Sequence, residues 1–306
     1  LWLRDRFKAT FGDLNLISRL LFFILIFITF SNPSFALGKL GHQVVCQLAF
    51  EHLPLIKQEQ ISKLLKTIPK KHRRLINNYN YKKQDGSVTF ADACTWADAI
   101  KRFKKFKPYQ TWHYMNVPRN KINIVPNDCR KNCLPQSILK HQQILAEAKN
   151  SISWTQAQAL FFLGHWLGDI HQPLHISFAD DLGGNNVKFT HLTTKCKNLH
   201  WYWDECILYK GKKSKKKWLA LLTKQWHQHS QPKWQKEQVW QWADESFQIV
   251  KSETLNYCQL NNQGSCKKLT SKLRLPENYL QQHQSIIEQR LLLSAQRLTQ
   301  ILTASL

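Results

Sequence analysis

The sequence lacks several features that would place it in a familiar class of protein. No two cysteines are spaced Cys-x-x-Cys, which argues against a zinc site built from thiolates. Internal repeats and long linkers rich in proline, glycine and serine are absent, which argues against a repeat protein or a string of domains. Acidic residues are scarce, 20 against 44 lysines and arginines, so the formal charge is +24. We therefore expect one domain with a strongly basic surface.

The first 36 residues have the pattern of a secretory signal peptide. Basic side chains within 4–19 precede an apolar run over 20–30, and the small-x-small triplet Ser34-Phe35-Ala36 follows. The run is shorter than the about 20 residues that a membrane span requires. We predict a signal peptide over 1–36, a mature chain from Leu37 without a stable membrane span, and a secreted or periplasmic location. An uncleaved amino-terminal anchor is the alternative.

The mature chain stays strongly basic after this segment is removed. Residues 1–36 hold four basic and two acidic side chains, so residues 37–306 retain a formal charge of +22. Such a surface attracts polyanions, either nucleic acid or acidic lipid headgroups. The densest basic runs lie at 101–107 and 210–217, although runs of this kind are often only solvated loops. The overall charge is therefore better support for a polyanionic partner than either run.

Eight cysteines follow the predicted signal peptide, and in an exported chain an even number predicts disulfides. Three pairs are close in sequence and could close local loops, namely Cys129/Cys133, Cys196/Cys206 and Cys258/Cys266. Cys46 and Cys94 would then pair at long range. The sequence alone does not fix this connectivity.

Hydrophobic periodicity predicts a mostly helical chain. Apolar residues recur at helical spacing in five segments, 42–53, 92–106, 137–148, 154–170 and 279–302. Alternation with a period of two is convincing only over 186–190, which could form a short strand or hairpin. The predicted fold class is one mostly α, disulfide-stabilised domain over 37–306, long enough for a sizeable core.

Imidazoles and carboxylates are concentrated in the segment 165–204. His165 and Asp169 are four residues apart, as are His200 and Asp204, so each pair would lie on one face of a helix. Imidazole with carboxylate suits zinc, and two such pairs offer more ligands than one zinc takes. The alternative is two helices with ordinary capping and ion-pair residues. Apolar neighbours favour burial, however, and a buried charge needs a partner or a metal.

Further histidines and an aspartate could extend this cluster. Pro173 would end the first helix, which lets His175 turn back toward the same pocket. Upstream, Asp98 follows a tryptophan in an apolar helical segment, and His113 lies among aromatic residues. Each of these two alone indicates core packing more often than a metal ligand. His42, five residues after the predicted mature start, is also unremarkable by itself.

Six motifs follow one another in order along the mature chain. They are Leu37-Gly-x-x-Gly41-His42, Trp96-Ala-Asp98, Trp112-His113-Tyr114, His165-x3-Asp169-x-His-Gln-Pro-Leu-His175, Gly183-Gly184-Asn185 and Asn198-Leu-His200-x3-Asp204. Together they resemble the S1/P1 family of zinc-dependent single-strand nucleases. The last predicted helix resembles that family's closing helix, so the resemblance covers essentially the whole mature chain. The fourth motif with the downstream His-x3-Asp is the most specific element.

The resemblance implies a helical fold of the type shared by zinc phospholipases C and single-strand nucleases, with three zinc ions per chain. The first zinc would be held by Asp98, His113, His165 and Asp169. The second would share Asp169 and be completed by His42 and by the amino nitrogen and carbonyl oxygen of Leu37. The third would be held by His175, His200 and Asp204. His171 matches a motif histidine that is not a ligand in the family. The pairing of Cys46 with Cys94 also resembles members of the family.

The resemblance also implies roles in catalysis and substrate binding. Catalytic roles fall on Asp98, Asp169 and Lys101, the last near the scissile phosphate, and substrate contacts fall on Tyr114, Asn116 and Asn198. The sequence departs from the family at two of these positions. Leu37 stands where the mature chain usually begins with Trp, which preserves a backbone chelate but removes the indole. Asn116 stands where some fungal members have an acidic residue, which bears on base preference.

The implied activity is an exported, zinc-dependent endonuclease that hydrolyses single-stranded DNA and RNA to 5′-phosphorylated products, with 3′-nucleotidase activity beside it. Zinc suits this reaction because it lowers the pKa of bound water to roughly 7. No obligate protein partner is expected. A zinc-dependent phospholipase C is the first alternative, which activity on phosphatidylcholine but not on single-stranded DNA would favour. A non-catalytic zinc- or polyanion-binding protein is the second, which tight DNA binding without hydrolysis would favour.

Overall fold

The computed structural model describes residues 37–147, 151–190, 195–210, 213–228, 233–252 and 255–306. Within these ranges the chain is mostly helical and carries four disulfides, which confirms the predicted fold class. The predicted signal peptide lies outside the described residues, as does part of the basic run at 210–217. No helix in the described ranges has the length and apolar character needed to cross a membrane.

The elements follow one another as a series of helices interrupted by short strands. The first part contains α1 (Lys39–Glu51), α2 (Leu55–Lys66), α3 (Lys70–Tyr79), α4 (Phe90–Ala93), α5 (Trp96–Ile100), a 3-10 segment (Lys104–His113), β1 (Met115–Val117), a 3-10 turn (Pro126–Asp128) and α6 (Leu134–Glu147). The central part contains α7 (Trp154–His171), a 3-10 turn (Pro173–His175), β2 (Ile176–Phe178), α8 (Leu199–Trp201), a π-helical turn (Tyr202–Cys206) and α9 (Ile207–Tyr209). The last part contains α10 (Lys215–Gln225), a 3-10 turn (Trp226–Gln228), α11 (Gln238–Lys251), β3 (Gln259–Leu260), β4 (Cys266–Lys267) and α12 (Tyr279–Ser305).

Helix α7 forms the middle of the core. Every residue from Ala159 to His171 is buried, which is the pattern of a helix enclosed by others on all sides. It packs against α1, α6 and α12. Its first turn is capped by Ser153, whose Oγ accepts a hydrogen bond from the amide of Gln156. Pro173 has no amide hydrogen and ends the helical run, as predicted. Side chains on α7 are therefore held by a rigid, enclosed element.

A short parallel strand pair brings two distant histidines together. Strands β1 and β2 pair with Met115 opposite Ile176 and Val117 opposite Phe178. Each strand directly follows a 3-10 segment, one ending at His113 and the other at His175. In this register, Nδ1 of His175 donates a hydrogen bond to the carbonyl oxygen of His113 at 2.6 Å. The strand pair thus fixes the positions of two candidate metal ligands.

The disulfides follow the pattern of one long-range and three local bridges. Cys46 pairs with Cys94, which ties α1 to the end of α4. The local bridges are Cys129–Cys133, Cys196–Cys206 and Cys258–Cys266. Helix α7 packs directly on the long-range bridge through Gly164. A Cβ there would lie 2.5 Å from Sγ of Cys94 and 2.8 Å from Sγ of Cys46, so a larger side chain would force α7 away.

Four of the five helical segments predicted from periodicity form helices with similar bounds, namely α1, α6, α7 and α12. The strand predicted at 186–190 was only partly right. Lys188 and Phe189 form isolated bridges with Asn198 and Leu273 rather than a regular strand.

The continuous helix predicted over 92–106 was wrong. Helices α4 and α5 are separate, and α5 ends at Ile100. Between them, Oγ1 of Thr95 donates a hydrogen bond to the carbonyl oxygen of Asp92 at 2.7 Å. Such a side-chain bond competes with continued backbone helix bonding. Residues after 103 adopt a 3-10 segment that includes Pro108, which cannot donate a helical hydrogen bond.

Candidate metal centre

Three clusters of histidine and aspartate side chains lie together in the interior. In each cluster the candidate ligand atoms are all within 4.8 Å of one another, and every residue is buried. The clusters are His42, His165 and Asp169; Asp98, His113 and His165; and His175, His200 and Asp204. The structure therefore brings together all eight of the side chains that the sequence predicts as metal ligands.

Asp169 lies at the centre of the site. Its Oδ1 is 3.4 Å from Nε2 of His42 and 3.5 Å from Nδ1 of His175. Its Oδ2 is 3.0 Å from Nδ1 of His113 and 3.3 Å from Nε2 of His165. Because its two oxygens face different histidines, this carboxylate has the geometry to bridge two cations.

Asp98 completes the cluster on the other side of His165. Its Oδ1 lies 3.7 Å from Nε2 of His165 and 3.9 Å from Nδ1 of His113. Two neighbours contact the same carboxylate. Nζ of Lys101 is 2.7 Å from Oδ1, and the hydroxyl of Tyr79 donates to Oδ2 at 3.3 Å. The predicted basic residue, Lys101, is therefore placed at the edge of the site, against one of its carboxylates.

The third cluster joins His175, at the end of the 3-10 turn after α7, to His200 and Asp204 on the helical turns after residue 198. Nε2 of His175 is 3.4 Å from Oδ1 of Asp204, and Nε2 of His200 is 3.3 Å from its Oδ2. The two imidazole rings stack with centroids 5.0 Å apart. Asp204 lies in the π-helical turn, and such turns occur frequently at functional sites. Nε2 of Gln172 donates to Oδ1 of Asp204 at 2.5 Å, which holds the carboxylate in place.

Backbone carbonyls orient three of the imidazoles. Nδ1 of His165 donates to the carbonyl oxygen of Cys94 at 2.7 Å, and Nδ1 of His200 donates to that of Gly183 at 2.8 Å. His175 makes the equivalent bond to His113. A carbonyl oxygen can only accept, so each Nδ1 carries the hydrogen and each Nε2 presents a lone pair to the site. Gly183 has φ +63, and a Cβ there would lie 2.6 Å from the carbonyl oxygen of Leu174, so this turn requires glycine.

The buried donor and acceptor atoms fit a bound metal. Within the described ranges, several buried atoms of the site have no hydrogen-bond partner, namely Nδ1 and Nε2 of His42, Oδ1 of Asp169, Nε2 of His175, Nε2 of His200 and Oδ2 of Asp204. Buried polar atoms are normally satisfied, and leaving one unsatisfied costs about 1–3 kcal/mol. Imidazole nitrogens with carboxylate oxygens form a donor set that suits zinc. The residues present therefore fit a multinuclear zinc site.

Electrostatics keep two of the histidines neutral. Burial disfavours the imidazolium form and, with the positive charge of neighbouring groups, lowers the pKa of His42 to about 4 and that of His113 to about 3. A neutral imidazole retains the lone pair that a metal needs. For His175, burial also acts to lower the pKa, but the carboxylates of Asp169 and Asp204 outweigh it and the pKa is raised.

The carboxylates stay ionised despite their burial. Burial alone would raise the pKa of Asp98, but Lys101 and the neighbouring histidines outweigh it and lower the pKa below its usual range. Burial is likewise outweighed at Asp169, where His165 and His175 hold the pKa well below its ordinary value. Both side chains are therefore available as anionic ligands.

The amino-terminal segment of the described chain lies beside this site. Leu37 is buried, and the amide of Gly38 donates to the carbonyl oxygen of Asp204 at 2.6 Å. Helix α7 approaches α1 closely through Gly168, which also faces the side chain of Leu37. A Cβ at Gly168 would lie 2.6 Å from Nδ1 of His42, so glycine is needed for His42 to reach Asp169. Leu37 and Gly38 thus lie near Asp204, and His42 lies near Asp169.

The three predicted substrate residues lie in different settings. Tyr114 and Asn116 are half-buried on either side of Met115, and Oδ1 of Asn116 has no hydrogen-bond partner among the described residues. Asn198 is buried and caps α8, because its Oδ1 accepts a hydrogen bond from the amide of Trp201 at 2.7 Å. Its side chain therefore has a structural role in placing His200.

His171 lies apart from the three clusters. Its Nδ1 donates to the carbonyl oxygen of Leu167 at 2.8 Å, and its Nε2 accepts from Arg297 at 2.8 Å. Arg290 donates to the carbonyl oxygen of His171 at 3.1 Å, and both arginines pair with Glu245. This network anchors the end of α7 just before the turn that carries His175.

Sequence reasoning did not identify Tyr79 and Gln172 as members of the site. Gln172 lies within a recognised motif, between His171 and Pro173, and that position was the available signal. Tyr79 lies at the end of α3, and its hydroxyl reaches Asp98 only because α3 packs against α5. The sequence around it gives no local sign of this contact.

Comparison with known proteins gives a consistent result. The chain matches the S1/P1 nuclease family over residues 37–306. It is 29% identical over 191 residues to Endonuclease 3 of Arabidopsis thaliana, an alignment that covers 60% of this chain and 59% of that protein. It is 32% identical over 182 residues to Endonuclease 5 of the same plant, covering 56% of each. It is 31% identical over 125 residues to Nuclease S1 of Aspergillus oryzae, covering 39% of this chain and 42% of that protein.

The chain thus spans about three fifths of the length of the first two relatives and less of the third. The family match is longer, over residues 37–306, and this range includes all three His/Asp clusters and the closing helix α12. Since that match extends over far more than half of the chain, the protein belongs to the S1/P1 nuclease family.

Proposed function

We propose that the protein is an exported zinc-dependent nuclease that hydrolyses phosphodiester bonds in single-stranded DNA and RNA to 5′-phosphorylated products. A 3′-nucleotidase activity is proposed for the same site. The observation that carries this proposal is the arrangement around Asp169, whose two oxygens face four histidines from three sections of the chain. The names of the relatives, which are endonucleases and nucleases, support the reaction class.

The proposed metal content is three zinc ions per chain. One would be held by Asp98, His113, His165 and Asp169, a second by Asp169, His42 and the backbone of Leu37, and a third by His175, His200 and Asp204. Two features support zinc: imidazole and carboxylate donors, and lone pairs that backbone hydrogen bonds aim into the site. Bound zinc supplies a lowered pKa for water and charge stabilisation for the phosphoryl oxygens.

The protein's own side chains would position the substrate around these ions. Nζ of Lys101 lies against Asp98, and we propose that its ammonium group contacts the scissile phosphate. Tyr114 and Asn116 are half-buried, follow His113 closely in the chain and are proposed to contact the base. A base can reach such side chains only when it is not stacked in a duplex, which accounts for a single-strand preference without sequence readout.

Export is part of the proposal because the second metal needs a free amino group at Leu37. An α-amino nitrogen exists at that position only after cleavage behind Ala36. Four disulfides fit an oxidising compartment outside the cytoplasm. The strongly basic composition fits a polyanionic substrate.

The test is hydrolysis of matched single-stranded and duplex oligonucleotides by protein that begins at Leu37 and is loaded with zinc. We expect cleavage of the single strand to be faster and the new ends to carry 5′-phosphate, detected by mass spectrometry. The control is the Asp204→Asn variant, which keeps the size of the side chain but removes a carboxylate from the third cluster. It should retain the fold and lose most of the activity.

Two results would redirect the assignment. Zinc-loaded protein that hydrolyses phosphatidylcholine but leaves single-stranded DNA intact would indicate a phospholipase. Tight binding of DNA without hydrolysis of any phosphodiester would indicate a binding protein. Products with 3′-phosphate ends would contradict the proposed direction of cleavage while leaving the reaction class in place.

A further inference from the structure

One strongly charged surface beside the site has no role in the chemistry described so far. We call it the α3 basic surface. It consists of exposed cationic residues from the start of α3 and from the segment after α5, namely Lys70, Lys71, Arg102, Lys104, Lys105 and Lys107. None of these six side chains makes an ion pair with a carboxylate in the part of the chain that the structure describes. Their charge is therefore left facing solvent.

The two parts of this surface are joined through His72. The indole of Trp96 donates to Nδ1 of His72 at 3.0 Å, which fixes α3 to α5. The ring of His72 also packs edge-on against Phe106, with centroids 6.4 Å apart. Burial lowers the pKa of His72, and the positive charges of Lys71 and Lys105 lower it further, so both lysines lie near the same imidazole. The surface is continuous from α3 to the segment at 104–107.

The surface leads directly to the candidate metal centre. Trp96 and Asp98 lie on the same short helix, α5, and the next residues of the chain are Lys101 and Arg102. Nζ of Lys101 is 2.7 Å from Oδ1 of Asp98. Five of the seven residues from Lys101 to Lys107 are cationic, so the chain itself connects the site to this surface.

An exposed aromatic ring lies within this basic segment. The side chain of Phe103 is 37% exposed, and the guanidinium of Arg102 lies over it, 5.1 Å from the ring centroid. An exposed phenylalanine between cationic residues offers a flat apolar face on which an unpaired base can stack. Cationic side chains that track a backbone, interleaved with aromatic rings, are the pattern of single-strand nucleic-acid binding.

We propose that the α3 basic surface binds the phosphate backbone of a single-stranded polynucleotide and directs that strand into the metal centre. Phe103 stacks one base of the bound strand outside the reaction site. This inference rests on the proposed nuclease function and specifies its substrate as a long strand rather than a dinucleotide. A duplex would use the cationic residues but could not use Phe103.

The test compares two variants of equal net charge. In the surface variant, Lys71→Gln, Arg102→Gln, Lys104→Gln and Lys105→Gln remove four charges from the α3 basic surface. In the matched control, Lys216→Gln, Lys217→Gln, Lys224→Gln and Lys236→Gln remove four exposed charges at α10 and just before α11. Helix α10 packs on α1 and α12. Both variants change only exposed or solvent-facing cations, so both should fold.

The readouts are hydrolysis and binding of a 30-nucleotide single strand. The ratio of kcat/KM on the long strand to kcat/KM on a dinucleotide should be at least about tenfold lower for the surface variant than for the wild type at 0.1 M salt. The reason is that each phosphate contact contributes about −0.7 to the slope of the logarithm of the binding constant against the logarithm of the salt concentration. This slope should become shallower by up to about 3 in the surface variant. The control variant should match the wild type both in the kcat/KM ratio and in the slope. Binding is measured by fluorescence anisotropy on the Asp169→Asn background, so that cleavage does not interfere.

A third variant separates single-strand binding from general attraction to polyanions. Phe103→Ala should weaken binding of the single strand about tenfold and leave binding of a duplex of equal length unchanged. Equal losses for single strand and duplex would contradict the assignment to single strands. Equal losses of single-strand binding in the surface and control variants would show that only net charge matters and would overturn the proposal. The proposal would also be overturned if the surface variant bound the single strand like the wild type and lost only binding to anionic lipid vesicles, measured in parallel.

Failure of the proposed function would be visible separately. If zinc-loaded wild-type protein hydrolyses neither the dinucleotide nor the 30-nucleotide strand, the nuclease assignment fails, and anisotropy still decides whether the surface binds a strand. If the dinucleotide is hydrolysed but the surface variant binds and cleaves the long strand like the wild type, only the inference about the surface fails.

Discussion

Replacing Gly168 by alanine is a direct test of how the site is assembled. The ring of His42 lies between the ring of His165, 3.6 Å away between centroids, and the backbone of α7 at Gly168. An added Cβ would lie 2.6 Å from Nδ1 of His42, well inside the contact distance of about 3.5 Å. His42 is fully buried and cannot swing into solvent, so its ring must move by roughly 1 Å. Binding sites need their groups placed within about 0.5 Å, so the cluster formed by His42 should lose its metal.

The effect on stability should be smaller than the effect on metal content. Alanine favours a helix over glycine by about 1 kcal/mol, which partly offsets an overpacking cost of about 1–3 kcal/mol. We therefore expect a net loss of at most about 2 kcal/mol, measured by urea denaturation of the metal-free protein. Elemental analysis of the purified protein should show one zinc fewer than in the wild type, and His42→Ala should show the same deficit.

Gly164→Ala is the matched control, one helical turn earlier on α7. Its Cβ would meet the sulfurs of Cys94 and Cys46 rather than a candidate ligand. This variant should lose a similar amount of stability and keep the wild-type zinc content. If Gly168→Ala retains full zinc content, or if both variants lose the same amount, the close approach of α7 and α1 does not position His42 as argued.

Further predictions concern the disulfides, the buried network, the chain start and the anchored carboxylate. Replacing both Cys46 and Cys94 by alanine should lower the free energy of unfolding by about 4 kcal/mol, since the bridge closes a separation of 48 residues. Removing the Cys196–Cys206 bridge, which closes a separation of 10 residues, should lower it by about 3 kcal/mol. Both losses are measured by urea denaturation. Burial acts to raise the pKa of Glu245, but Arg297 and Arg290 outweigh it and lower the pKa. The stability that this carboxylate contributes is therefore present above its unfolded pKa of about 4.3 and is lost as the pH falls through its lower folded pKa. Glu245→Gln should therefore be less stable than the wild type at pH 7, by about 1–2 kcal/mol after allowing for solvent exposure of the carboxylate, and urea midpoints should converge as the pH falls below 4; a constant difference across pH would contradict this. Protein with extra residues before Leu37 should bind one zinc fewer and lose most hydrolytic activity, and full activity of the extended form would rule out the amino-terminal chelate. Gln172→Leu removes the hydrogen bond to Asp204 and should weaken zinc binding at the third cluster about tenfold or more in a chelator competition, with little change in the fold.

Local chemistry marks only part of the predicted ligand set, whereas Asp98, His113 and His42 were implied by the family resemblance. His165 and Asp169 on one helical face, the stop at Pro173 and the pair His200 and Asp204 are all patterns within a few residues. A helix-breaking proline and i,i+4 spacing act over one or two turns and do not depend on the rest of the fold. Those elements accordingly occur in the structure where the sequence indicates them.

Most of the features that were missed depend on tertiary contacts. Strands β1 and β2 have three residues each, too few to show a period, and they exist because 115–117 and 176–178 meet in the core. The break between α4 and α5 depends on the hydrogen bond from Thr95 to the carbonyl oxygen of Asp92, which a periodic apolar pattern conceals. Tyr79 reaches Asp98 across the packing of two helices. Thr95 and Asp92 are only three residues apart, but the partners in the strand pair and in the contact of Tyr79 with Asp98 are too far apart in the sequence to be found from a short window.

The central claim is that one trinuclear zinc site carries phosphodiester hydrolysis. The most direct measurement is the zinc content of purified protein beginning at Leu37, taken together with cleavage of single-stranded DNA before and after treatment with chelator. We expect close to three zinc ions per chain and cleavage of single-stranded DNA that chelator abolishes and added zinc restores. Fewer than two zinc ions per chain, or cleavage that persists in chelator, would contradict it.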